Sequence, residues 1–285
     1  MRMLRRCLRS GRVLVGLAIA LAVLACAVLA PVLAPADPGE QDLLHILLPP
    51  AWANGGDAAF PLGTDSLGRC VLSRLLHGAR TAMTVAVLAS LGAMLIGSIL
   101  AHAAGYLGGA VDWTIGRVVD VWMSFPPVIL SLVLMVGLGT GLDKVILAIV
   151  LVDWTRFCRV LRSEVLVVKQ RDYVAAARLI GFSHWQTVTR EVLPATLPLL
   201  LTLSSLEMGI AVVVEAILSF IGLGVGPDQA AWGQMIADAR QHLYESPSGL
   251  LFPMAAIFVT VTGFNLLGDG LRRALDIRLA AATER

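Results

Sequence analysis

Asp172-Tyr-Val-Ala-Ala-Ala-Arg-Leu-Ile-Gly181, continued through Glu191-Val-Leu-Pro194, is a short, charged, weakly amphipathic segment between two long apolar runs. A chain this apolar keeps such a segment where something outside the membrane touches it. The flanking runs approach the roughly 20 residues that a helix needs to cross about 30 Å of hydrocarbon. Within the segment, Tyr173 to Leu179 is built from good helix formers, Ala175, Ala176, Ala177 and Arg178. Gly181 then turns the chain, and Ser183 is placed to cap a second short helix, His184–Val192. Pro194 and Pro198 precede and open the next run. A helix–glycine–helix elbow is a knob that can seat in a partner's groove. The plainer alternative is an amphipathic connector lying on the membrane.

Working outward, the chain has 285 residues, 57% hydrophobic and 15% charged, with a mean hydropathy of +0.80. Soluble domains carry about 45–50% apolar and about 25% charged residues, which excludes that class. Six apolar runs stand out: Val13–Ala34, Thr81–Ala104, Val118–Gly139, Val145–Val160, Leu197–Ile221 and Leu250–Leu267. Arg2, Arg5, Arg6, Arg9 and Arg12 precede the first, as in a signal peptide. Its apolar length exceeds the roughly 7–15 residues of a cleaved core, so it reads as a retained helix.

Lys and Arg concentrate in alternate loops. Arg156 and Arg159 at the end of the fourth run lead into Arg162, Lys169, Arg171, Arg178 and Arg190 before the fifth, and Arg272, Arg273, Arg278 and Arg285 lie in the tail. Segment 35–80 leans acidic, and 223–249 carries only Arg240. The positive-inside rule then gives an even number of spans with both termini cytoplasmic. The division is a tail 1–12, a first span 13–34, a periplasmic loop 35–80, a core 81–270 containing the cytoplasmic loop 161–198, and a tail 271–285. The 35–80 loop is rich in Pro and Gly and closes with an expected surface helix, Asp65–Ala79, capped by Asp65 or Thr64.

Several chemistries are absent. Cys7, Cys26, Cys70 and Cys158 are scattered, the five histidines are dispersed, and neither makes a metal-ligand spacing. Only Cys70 falls outside the membrane, so no intrachain disulfide is expected. The net charge of +2 comes from loop residues and implies no nucleic acid. Gly137–Lys144 superficially looks like a phosphate loop, but it lacks the Gly-Lys-Ser/Thr ending and reads as a short outer turn. The chain therefore cannot hydrolyse ATP alone, and no Ser/His/Asp order or HExxH appears, so a membrane enzyme has no visible machinery.

Acids inside the runs are costly, by about 2.5–3.5 kcal/mol on insertion scales, and usually face protein or water. Asp120, Asp153, Glu207 and Glu215 are such acids. Glu207 and Glu215 lie on nearly one helix face. Asp153, Glu207 and Glu215 are candidates for a path favouring cationic or zwitterionic cargo. The alternative is a helix–helix hydrogen bond, preferred for Glu215 and left open for Glu207. Gly92, Gly97, Ala101 and Gly105 suit close helix packing, and Gly222, Gly224 and Gly226 before Pro227 suit a chain reversal.

The elbow resembles the EAA loop of ABC-importer membrane subunits, whose pattern is E-A-A-x-x-x-G and then I-x-L-P about nine residues on. Ala176-Ala177-x-x-x-Gly181 and Leu193-Pro194 match it, while Glu191 stands where the Ile is usual and Ala175 where the Glu is. That removes one ion pair to an ATPase and leaves the shape contacts of Ala176, Ala177 and Gly181. The resemblance covers about residues 10–280. Pro61-Leu-Gly63-Thr64-Asp65-Ser-Leu-Gly68-Arg69, with Arg74 and Arg80, looks like the hallmark of the dipeptide/oligopeptide/nickel permease family, "C"-type subunit. Cys70 replaces the Asp common after that Gly-Arg. Gly105-Tyr-Leu-Gly-Gly109 with Asp112, Glu215 through Gly224, Trp232-Gly233 and Phe264-Asn265-Leu-Leu-Gly268-Asp269-Gly-Leu-Arg272 match as well.

The resemblance implies an all-α polytopic protein of six transmembrane helices with the type I ABC importer permease (MetI-like) fold in the cell inner membrane. It implies a second, homologous permease subunit, two cytoplasmic ATPase subunits carrying ATP and Mg, and an extracytoplasmic substrate-binding protein. It gives Tyr173, Ala175, Ala176, Ala177, Arg178, Gly181, Leu193 and Pro194 the coupling role. This chain itself would bind no cofactor. Peptides are the expected cargo, with nickel or a metal chelate as the alternative. An ion-coupled secondary transporter is disfavoured because no inverted repeat with matched broken helices is visible.

Overall fold

The computed structural model describes residues 10–226 and 228–275. The N-terminal arginines before Ser10, Cys7, Pro227, Arg278 and Arg285 lie outside the described residues. Among those described, the chain is all-α apart from one isolated bridge between Thr64 and Cys70. The helices are α1 (Gly11–Leu33), α2 (Val71–His102), α3 (Gly109–Met123), α4 (Pro127–Leu138), α5 (Leu142–Val168), α6 (Asp172–Leu179), α7 (His184–Thr187), α8 (Leu193–Phe220), α9 (Trp232–Ala239) and α10 (Ser248–Leu275). π-helical turns at Ala103–Leu107 and Val188–Val192 extend α2 and join α7 to α8.

Four helical stretches are long and apolar enough to cross a membrane: Gly11–Leu33, Val71–Leu107, His184–Phe220 and Ser248–Ala274. The run Val118–Gly139, expected as one span, is two helices meeting at 87°. Pro126 and Pro127 cause the break, because Pro126 takes an extended backbone (ψ 127°) and Pro127 opens α4 at a position that needs no N–H. The pair α3–α4 makes a fifth candidate as a broken span. The run Val145–Val160 is helical within α5, but Asp153, Arg156 and Arg159 interrupt its apolarity.

α2 lies at the centre, packed on α5, α8 and α1, with α10 between α1 and α8. Small residues set the α2–α5 distance. A Cβ at Gly92 would meet Val150 at 2.7 Å, at Gly97 Phe157 at 2.5 Å, and at Gly105 Val165 at 2.7 Å. The same device docks α1, since a Cβ at Gly16 would meet the Leu267 nitrogen at 2.5 Å. The glycine reading of the sequence holds along these seams.

Two expectations are corrected. No separate surface helix spans Asp65–Ala79, because the helix begins at Val71 and runs unbroken into the apolar core. Neither Thr64 nor Asp65 caps it. Asp65 instead accepts from the Leu67 and Arg69 amides at 2.9 Å and from Arg69 Nε at 2.7 Å, while Gly68 turns the chain at φ +72°. The second, that Pro194 and Pro198 open the next run, holds for Pro194, which lies in the first turn of α8, and is corrected for Pro198, which lies inside it, with His184 to Phe220 helical throughout. A proline ring clashes with the carbonyl four residues back, here that of Arg190, and the wide π turn accommodates it.

Candidate functional site

The elbow forms as its residues dictate. α6 ends in a Schellman motif, with Gly181 at φ +96°, Phe182 N donating to Ala177 O at 3.1 Å, and Gly181 N to Arg178 O at 3.1 Å. Ser183 then caps α7 reciprocally. Gln186 N donates to Ser183 Oγ at 3.2 Å, and Ser183 N to Gln186 Oε1 at 2.9 Å. Val174, Ala177 and Val192 point into the bundle, where Val174 and Val192 join Tyr106, Phe157, Leu161 and Val165 in one core cluster. Tyr173, Ala175, Ala176, Gly181, Leu193 and Pro194 face outward, while Arg178 is exposed along its length and turns its guanidinium inward.

Sequence reasoning missed two parts of this site. One is its apolar crown: Leu179, Ile180 and Trp185 are 88%, 75% and 75% exposed. The other is its seat. Tyr106, in the π turn at the end of α2, is buried and gathers three cationic or ionisable side chains of the elbow region. Lys169 Nζ donates to Tyr106 O at 2.6 Å, and Arg178 Nε donates to Tyr106 Oη at 3.2 Å. Arg178 also lies 5.0 Å from the ring centroid, a cation–π distance. His184 Nδ1 lies 3.3 Å from Tyr106 Oη, with its ring edge-on to the tyrosine. Tyr106 stood in a quoted motif, but its partners lie 63 to 78 residues away and no local pattern reveals them.

The path candidates divide. Glu207 and Asp153 are buried around Arg156: its Nη1 donates to Glu207 Oε2 at 3.1 Å, and its Nη2 lies 4.0 Å from Asp153 Oδ1. Glu215, equally buried, accepts from Ser219 Oγ at 2.6 Å one turn along its own helix. The helix–helix hydrogen bond preferred for Glu215 is therefore not found among the described residues: its partner is intrahelical, and its Oε2 is buried without one. Asp120 pairs with Arg159 at 2.6 Å and Arg117 at 2.9 Å.

The hallmark residues at the opposite end build a locked loop. A Cβ at Gly68 would sit 1.8 Å from Asp42 O, and one at Gly63 2.2 Å from Leu48 O. Thr64 Oγ1 accepts from Leu48 N at 2.9 Å and donates to His45 O. Arg69 bridges Asp65 at 2.7 Å and Asp238 at 3.0 Å, with Arg74 buried beside both acids. Trp232 Nε1 donates to Leu75 O at 3.0 Å. In that loop, outside the apolar helices, His45 and Asp42 pair at 2.6 Å. Their hydrogen bond raises the His45 pKa and lowers that of Asp42. On α10, Gly268 lets Leu206 and Ser205 approach, while Asn265 and Asp269 face outward one turn apart.

These features converge with comparisons to known proteins. Residues 93–281 match the model for the binding-protein-dependent transport system inner membrane component, and residues 1–50 the N-terminal TM domain of oligopeptide transport permease C. The chain is 40% identical over 245 residues to a nickel transport system permease protein of Escherichia coli K12, covering 86% of each. It is 38% identical over 225 residues to a glutathione transport system permease protein of Pectobacterium atrosepticum, covering 79% of this chain and 75% of that one. It is 37% identical over 267 residues to a di/tripeptide transport system permease protein of Pseudomonas aeruginosa, covering 94% and 88%. The chain therefore belongs to the binding-protein-dependent inner membrane components, the permeases of ABC transporters, in the dipeptide/oligopeptide/nickel family and its "C" type.

Proposed function

We propose that this chain is one of two homologous permease subunits of an ATP-driven importer. It would cross the inner membrane six times, with α5 as the fourth span and both termini and the elbow on the cytoplasmic side. An extracytoplasmic binding protein delivers cargo, and two ATPase subunits carry ATP and magnesium. The observation that supports this most is the elbow crown: Leu179, Ile180 and Trp185 stand exposed on short helices whose inner faces are buried. Ala176, Ala177 and Gly181 give the elbow its slim profile, and Ala175 supplies no carboxylate for a partner.

Coupling requires contacts that differ between two states. ATP-driven closure of the ATPases pulls the elbow, and Tyr106 passes that displacement to the end of α2. Di- or oligopeptides are the cargo in this reading. A nickel or metal-chelate cargo is the second reading, favoured by the 40% identity to a permease named for nickel.

Gly181→Trp tests the mechanism. At φ +96° a side chain strains the turn by about 1–2 kcal/mol, and the indole enlarges the knob. The variant is expected to insert normally and lose ATP-dependent uptake. Unchanged uptake would favour an ion-coupled carrier.

A further inference from the structure

Three arginines of α5 recur at three-residue spacing, about 4.5 Å of rise each, and each is held by a carboxylate from another helix. Arg156 pairs with Glu207 of α8 at 3.1 Å, and Arg159 with Asp120 of α3 at 2.6 Å. Arg162 grips Asp112 of α3 in a two-pronged pair, Nη2 to Oδ2 at 2.6 Å. None of the three is sealed in. Their side chains keep 36%, 51% and 37% of their exposure.

Between α3 and α5 the lower rungs open on a cleft of about 330 Å³, whose charged lining is Asp112, Arg117, Asp120, Arg159 and Arg162. That volume is at the lower end of small-molecule sites and corresponds to about ten waters. Three guanidiniums face two carboxylates there, because Arg117 and Arg159 share Asp120. The cleft thus carries one positive charge in excess. At the upper rung, Glu207 Oε1 is buried and has no hydrogen-bond partner among the described residues, leaving acceptor capacity.

Half-exposed guanidiniums cannot face hydrocarbon cheaply, so this wall meets water or protein. The three rungs have one carboxylate each, and the excess charge is that of Arg117, which shares Asp120 with Arg159. We propose that the Arg156–Arg159–Arg162 ladder and Arg117 form this subunit's wall of the translocation path and bind the carboxylate of the cargo. Asp120 serves both Arg117 and Arg159, one through each oxygen, and the cargo's carboxylate supplies the second anion that this pair of guanidiniums lacks. A guanidinium fork recognises a carboxylate with paired N–H donors, so the site favours carboxylate-bearing peptides or chelates over neutral ones. The inference rests on the importer reading above and adds a substrate class to it.

The test uses the complete importer, with its ATPases and binding protein, in liposomes. Dialanine, glutathione and a nickel–dicarboxylate chelate are screened for ATP-dependent uptake. A wild-type complex that takes up none of them overturns the importer reading itself. For a transported peptide, wild type is expected to prefer the free carboxylate over its amide by about tenfold or more, as would a chelate over its neutral-ligand counterpart. Arg159→Gln and Arg117→Gln are expected to lose that preference, with Arg159→Lys keeping part of it. An Arg159→Gln complex with unchanged uptake and preference overturns the ladder alone.

A folding-independent arm places Arg159→Cys in a background with Cys7, Cys26, Cys70 and Cys158 replaced by Ala. A membrane-impermeant sulfonatoethyl thiosulfonate is expected to modify it without nucleotide, and about tenfold more slowly with cargo or trapped ATP. No modification in either state means that lipid or the second subunit seals this face, and overturns the proposal. So does a rate that follows phosphatidylglycerol content and ignores cargo, which assigns the cleft to a lipid headgroup.

Discussion

The two ends of the helix bundle are built on opposite plans. At the loop end, residues 34–70 are locked by close main-chain contacts at Gly63 and Gly68, by the buried Arg69, Arg74, Asp65 and Asp238 cluster, and by Trp232 on α2. At the elbow end, two short helices keep an apolar crown exposed and are seated through Tyr106 and the buried Val174, Ala177 and Val192. The contrast teaches how the fold can move. A segment seated through one tyrosine and three small apolar side chains can shift while a close-packed one holds the bundle's other end fixed.

Breaking the rigid end is expected to have the largest effect. Gly68→Val places a branched side chain at φ +72° where even a Cβ would lie 1.8 Å from Asp42 O. A loss of about 3 kcal/mol or more is expected, of the size that backbone strain and steric conflict produce. It would appear as collapsed yield and a lowered melting temperature of the detergent-solubilised protein. A normal melt would mean that the loop end is softer than described.

Tyr106→Ala probes the other end and is expected to be smaller. It removes the Arg178 cation–π contact and the Oη bonds to Arg178 and His184, together about 2–3 kcal/mol of local seating, and leaves the Lys169 bond to the main-chain oxygen. Amide exchange in residues 172–187 should accelerate while the loop end stays protected. Tyr106→Phe, which keeps the ring, should fall between. Uniform acceleration across the chain would mean that the seat is ordinary core.

The same contrast explains what was legible in the sequence. The elbow's turn chemistry was, because Gly181 and Ser183 act on neighbours within a few residues. The glycine seams were, because Gly92, Gly97 and Gly105 recur at spacings that keep them on the α5-facing side of α2. The start of α2 was not, since Thr64 and Asp65 carry a capping signature but are recruited by Leu48, His45 and Arg69. The 87° bend was hidden inside a continuous apolar run, although Pro126-Pro127 marked its place. Tyr106 and the α5 ladder were missed for a stronger reason. Arg156, Arg159 and Arg162 read as loop charge until α3 and α8 bring Asp112, Asp120 and Glu207 to them.

The smallest effect concerns the Asp42–His45 pair on the exposed loop. His45 is raised above its ordinary 6.5, so its contribution is complete below about that pH and is lost as pH rises through the raised value. Asp42 is lowered from 3.8, so its contribution is present above that pH and is lost as pH falls through the lowered value. Asp42→Asn should return the His45 titration, followed by NMR, toward 6.5 with little change in melting. An unmoved titration would show that the pair is not formed.

The central claim is that the exposed crown of the elbow docks an ATPase. Co-purification of the ATPase subunits with this chain, compared between wild type and a Leu179→Asp/Ile180→Asp double variant, tests it most directly. Both positions are exposed, so the substitutions should spare insertion and the α10–α1 packing. The account expects the ATPases to be retained by wild type and lost from the double variant. Retention by a double variant that inserts normally would contradict it.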